Sequence, residues 1–111
     1  MAQTRQKIKT VVSRYIRNLE SLGIDVQKVI IFGSQAKGTF NEDSDIDIDI
    51  AVVSKDFEKM DLWERARYLG RAARGIPFPI EVLGFSPSQL KKIERGTILD
   101  EITRSGIEVK V

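Results

Sequence analysis

Residues 45–50 read Asp-Ile-Asp-Ile-Asp-Ile. No other stretch restricts the fold as tightly, because alternation at period two is incompatible with the 3.6-residue period of an amphipathic helix. A β-strand sorts it cleanly: Asp45, Asp47 and Asp49 fall on one face, and Ile46, Ile48 and Ile50 on the other. The isoleucines suit a strand and the aspartates do not, so the apolar face must be core and the acidic face must have a use. Carboxylates crowded on one face repel. A bound divalent cation is the economical compensation, and hard cations such as Mg²⁺ take few protein carboxylates and leave positions for substrate phosphates. The chain has no histidine and no cysteine. That removes imidazole and thiolate ligands and nucleophiles, and leaves carboxylates to carry both metal and base roles.

Upstream, the apolar run Val29-Ile30-Ile31-Phe32 enters Gly33-Ser34. A strand over Val26–Phe32 that turns at a Gly-Ser pair into a short helix, ended by Gly38, offers backbone N–H groups, a hydroxyl and a helix N-terminus to an anion. A plain strand-to-helix turn with a serine N-cap uses the same residues. Phosphate cradle and acidic strand together point to phosphoryl-type chemistry.

The remaining elements frame these two. Residues 4–22 form an amphipathic helix with Ile8, Val11, Val12, Tyr15, Ile16, Leu19 and Leu22 on one stripe, stopped by Gly23. Asp45–Val53 is the second strand. Asp61 caps a helix, with Glu64 completing its first turn and Leu62, Ala66, Leu69 and Ala73 facing the core. Arg67, Arg71 and Arg74 make a basic stripe on the same helix, either solvated or set against an acidic partner or phosphates. Gly75, Pro77 and Pro79 end it. Ile80–Phe85 is the third strand, with Glu81 a charge embedded in apolar sequence. Ser86-Pro87-Ser88-Gln89 opens another helix, a further one covers Thr97–Ser105, and Ile107–Val111 alternates as a final strand. The expected class is α/β (α+β), a small mixed sheet with flanking helices in one domain spanning 1–111.

Gly33-Ser34, ten intervening residues, then Asp45-x-Asp47 resembles the signature of the polymerase-β-type nucleotidyltransferase superfamily. The fuller stretches Gly33-Ser34-Gln35-Ala36-Lys37-Gly38 and Ser44-Asp45-Ile46-Asp47 are similar to its minimal nucleotidyltransferases, and the likeness runs from about Val26 to the C-terminus. The resemblance implies transfer of a nucleoside monophosphate, AMP by preference, from an NTP to an acceptor hydroxyl. It makes Asp45 and Asp47 ligands of two Mg²⁺ ions, and makes Glu81, where relatives more often carry aspartate, the third carboxylate and the acceptor of the hydroxyl proton. Gly33 and Ser34 hold the β- and γ-phosphates of ATP, with Lys37 and Ser44 beside the nucleotide. Asp49 is left outside the metal ligands, adding only field or accepting a structural hydrogen bond.

Partners follow from the same resemblance. Minimal members are associated with a HEPN-domain ribonuclease toxin, whose tyrosine they adenylylate as type VII antitoxins. A non-catalytic binding antitoxin and a small-molecule transferase are the rival readings, and a homo-oligomer is one way to build an acceptor wall. Net charge is only +2 at a pI near 9.0. Residues 41–61 carry eight acids against Lys55 and Lys59, which interrupts any continuous basic track for nucleic acid. The N-terminal sequence is mixed and charged, so the expectation is a cytoplasmic protein without signal peptide or membrane span.

Overall fold

The computed structural model describes residues 2–33, 48–77 and 79–109. The chain starts with α1 (Ala2–Ser21), followed by β1 (Lys28–Phe32), β2 (Ile48–Val53), a 3₁₀ turn (Lys55–Lys59) and α2 (Leu62–Ala72). Then come β3 (Ile80–Phe85), α3 (Pro87–Lys91), α4 (Ile98–Ser105) and β4 (Ile107–Val109). The expected helix over 34–38 lies outside the described residues, as does the start of the second strand before Ile48.

The four strands form one mixed sheet in the order β3-β2-β1-β4. β1 runs antiparallel to both neighbours, pairing Ile31 with Ile50 and with Ile107. β2 and β3 run parallel, in register from Ile48↔Ile80 to Val53↔Phe85. Two backbone bonds bracket that ladder: Ile48 N–H donates to the Pro79 carbonyl at 3.1 Å, and Ser54 N–H to the Phe85 carbonyl at 3.0 Å. The parallel pair is possible because the 3₁₀ turn and α2 supply the crossover.

Alternation divides the sheet into two faces. Val29, Ile31, Ile48, Ile50 and Val52 join the stripe of α1 (Ile8, Val11, Val12, Tyr15, Ile16, Leu19) and the buried side of α2 (Leu69, Ala72) in the main core. Phe57 enters this core fully buried from the 3₁₀ turn. The other face is thinner, with Ile30 and Ala51 under Ile102 of α4, and Phe32, Leu83 and Phe85 packed alongside. α1 also holds α2 through polar groups. The buried Tyr15 hydroxyl donates to the Leu69 carbonyl at 2.7 Å, and Asn18 Nδ2 donates to the Ala72 carbonyl at 2.9 Å. Burial pushes the Tyr15 phenol well above its ordinary value of 10.0, so it remains a donor.

Three local expectations are corrected. Val26 is buried but precedes the first strand, which starts at Lys28. On α2, Leu62 is 76% exposed and Ala66 is also exposed. The inward stripe is Leu69 and Ala72 because the helix starts beyond the edge of the main core. The helix opened by Ser86 is only Pro87–Lys91. Its start matches the signals read, with Gln89 Oε1 accepting from Ser86 N–H at 2.9 Å, but Lys92 already leaves helical dihedrals at φ −124°, ψ 47°.

Candidate active site

The C-terminal end of β1 and the N-terminal ends of β2 and β3 meet at one end of the sheet. Phe32 pairs with Asp49, and Asp49 pairs with Glu81. All three side chains therefore lie in a row on the thinner face. Parallel neighbours are roughly 4.8 Å apart, so two carboxylates stand side by side. Asp49 is half-buried between Phe32 and Glu81, and Glu81 is exposed.

Gly33 follows Phe32 directly, with φ +75°. That left-handed conformation suits glycine. The space beside it is also occupied: a Cβ built there would stand 2.5 Å from Asp49 Oδ2, and the carboxylate would have to turn aside. The turn that leaves β1 is thus pressed against the Asp49 carboxylate. The sequence reading set Asp49 apart from the functional acids, yet the structure makes it the link between the Gly33 turn and Glu81. The signal was present in the shared face of the Asp/Ile alternation.

Of the residues read as site residues, Gly33 and Glu81 are described, and the structure brings them to the same sheet end, with Asp49 between. Ser34, Lys37, Ser44, Asp45 and Asp47 lie outside the described residues. Among the described residues no group of three or more acids is gathered to hold a metal. The donor chemistry of this end is oxygen only, which suits a hard cation such as Mg²⁺ and lacks the nitrogen and sulfur ligands that zinc and iron sites favour. A pair of facing carboxylates also gains from a cation that offsets their repulsion.

Around the outer edge of β3 runs an open apolar groove. Leu62 and Ala66 of α2, Ala73 just after it, Val82 and Leu83 of β3, and Ile98 of α4 line it. At its far end Arg65 ties three elements together. Its Nη2 donates to the Phe57 carbonyl at 2.7 Å, and its Nη1 to the Gly84 carbonyl at 3.2 Å and to Gln89 Oε1 at 2.8 Å. The guanidinium carbon also lies 5.8 Å from the Phe57 ring centre, within range of a cation–π contact.

Comparison with known proteins accords with this geometry. A protein of Methanocaldococcus jannaschii, provisionally named a protein adenylyltransferase, is 33% identical over 85 residues, covering 76% of this chain and 79% of its own length. A crystal structure from Sulfolobus solfataricus, provisionally titled a nucleotidyltransferase, superposes with a TM-score of 0.67 over 96% of this chain and 83% of that one. At 18% identity it establishes the shared fold. The profile of the nucleotidyltransferase domain matches residues 12–108, nearly the whole chain. The chain belongs to the nucleotidyltransferase domain family and is a transferase enzyme.

Proposed function

We propose that the enzyme transfers AMP from ATP, with Mg²⁺, to a tyrosine hydroxyl of a HEPN-domain toxin, and acts as its antitoxin. The observation that carries the catalytic part is the convergence of Gly33, Asp49 and Glu81 at one sheet end, where Gly33 adjoins Ser34 and Asp49 follows Asp45-x-Asp47 in sequence. The name of the M. jannaschii relative supports adenylyl transfer to protein. The HEPN partner and the antitoxin role rest on the resemblance of the motifs.

Gly33 and Ser34 hold the β- and γ-phosphates, with Lys37 and Ser44 beside the nucleotide. Asp45, Asp47 and Glu81 would hold Mg²⁺, which would supply charge neutralisation at the attacking and leaving oxygens. Glu81, exposed beside Asp49, accepts the proton of the acceptor hydroxyl. The acceptor oxygen forms its bond to the α-phosphorus as the bond to the β-phosphate oxygen breaks, and pyrophosphate leaves. Positioning and charge stabilisation supply most of the rate.

The test uses ATP radiolabelled at the α-phosphate, Mg²⁺ and the co-expressed HEPN-domain partner, with the wild type compared with the Asp45→Ala/Asp47→Ala double variant. Label on the partner that vanishes in the double variant is the expected result. Absence of label, with the double variant still binding and silencing the partner, would replace the catalytic reading with a binding antitoxin.

A further inference from the structure

Three large apolar side chains stand exposed around or beside the β3 groove: Leu62 at 76%, Trp63 at 83% and Ile98 at 60%. Single exposed hydrophobics are ordinary, but a cluster around one groove marks an interaction surface. The floor of this groove is itself unusual. Within a strand the N–H and C=O of one residue point to the same side, and sides alternate along the chain. The Pro79 and Phe85 carbonyls point at β2, whereas the Gly84 carbonyl points away from it to Arg65. Ile80 and Val82 therefore aim their backbone groups outward, and no described strand lies against them. An apolar strand edge left open in this way is a template for another strand.

Charge narrows the occupant. Arg67 and Arg71 are exposed on α2 and Arg74 just after it, and Lys91 at the end of α3 is exposed with Lys92 and Arg95, against the acids Asp61, Glu64 and Glu94 in the same stretches and Asp100 and Glu101 on α4. We propose that this groove docks an extended, apolar-alternating segment of a protein partner, flanked by Asp or Glu, as an added strand along Ile80–Leu83. A second copy of this chain fits poorly, because it brings two basic flanks together. A helical occupant leaves the outward groups of Ile80 and Val82 unmatched. The docking strand is continuous with the active site: β3 also carries Glu81. Resting on the function proposed above, the docked protein is the acceptor, and its segment is led to the carboxylates.

The experiment pans a random peptide library, displayed on phage, against the immobilised full chain. The most enriched peptide is then made synthetically with a fluorophore as the probe. Expected is an apolar-alternating sequence between acids, whose affinity falls roughly tenfold or more, about 1.4 kcal/mol, in Leu62→Glu and in Ile98→Glu. Binding to the wild type should also be lost when one alternate set of peptide amides is N-methylated, and kept when the other set is. No enrichment, equal tolerance of both N-methylated sets, or indifference to both substitutions overturns the proposal. A dimer in sedimentation equilibrium that Leu62→Glu dissociates overturns it in favour of a second copy. Because the readout is binding, a chain that docks the peptide yet transfers no nucleotide refutes only the catalytic reading. A chain that labels its partner unchanged in both groove variants refutes only the docking.

Discussion

Gly33→Ala puts the junction of turn and carboxylate to a direct test. Two costs add. Alanine at φ +75° meets the left-handed penalty, about 1–2 kcal/mol. Its Cβ also falls 2.5 Å from Asp49 Oδ2, the tip of a side chain, so the half-buried carboxylate must turn aside, an off-rotamer cost of about 0.5–1.5 kcal/mol. The sum is about 1.5–3.5 kcal/mol, a sizeable share of the stability of a small domain. The two parts separate in a double-mutant cycle. Asp49→Ala removes the obstruction and leaves the dihedral, so Gly33→Ala should cost about 1–2 kcal/mol in that background. Urea denaturation followed by far-ultraviolet circular dichroism measures all four proteins. Equal cost in both backgrounds would refute the claim that Asp49 fills the space beside Gly33. A cost below about 0.5 kcal/mol in the wild type, the range of a neutral surface change, would refute the dihedral argument too.

Other perturbations test the frame that carries the site. Arg65→Lys loses the planar fork that reaches Phe57, Gly84 and Gln89 and should destabilise by about 1.5–3 kcal/mol; wild-type stability in urea would refute the three-way tie. Tyr15→Phe, which deletes the buried bond to the Leu69 carbonyl, should cost about 1 kcal/mol by the same assay. The side-chain and then the backbone hydrogen bond from Ser88 hold the Glu58 carboxyl below its ordinary 4.5. Its stabilisation is therefore present above that value and lost as pH falls through the lower folded one. The gap in melting temperature between wild type and Glu58→Gln should be widest near neutral pH and close in acid; a gap independent of pH would contradict the sign.

The fold was legible wherever pattern and burial coincide. The stripe on α1, the isoleucines of β2 and the cap at Asp61, whose carboxylate accepts from Glu64 N–H at 2.8 Å, all follow from local periodicity and capping chemistry. Leu62 and Ala66 were misassigned because helical spacing gives a face but not where the neighbouring element ends. The position of Glu81 was legible as a charge inside an apolar strand. Its direct opposition to Asp49 was not, since parallel register is set by the crossover through α2 and not by either strand alone. Asp49 illustrates the same gap: its place on the acidic face was legible in sequence, but the close approach of Gly33 to its carboxylate was not.

The pairing of β1 with β4 has a consequence for the order in which the sheet can close during synthesis. β1 is a central strand, yet its second neighbour is residues 107–109, joined through Val29↔Val109 and Ile31↔Ile107. Until those residues have emerged from the ribosome, one edge of an almost wholly apolar strand, Lys28–Phe32, is bare. Such nonlocal closure is slow, and an uncovered apolar edge is the species that self-associates. The nascent chain thus passes through a window in which a central, largely buried strand is its most exposed liability. Substitutions that weaken β4 should lower soluble yield more than they lower the stability of the protein that has already folded.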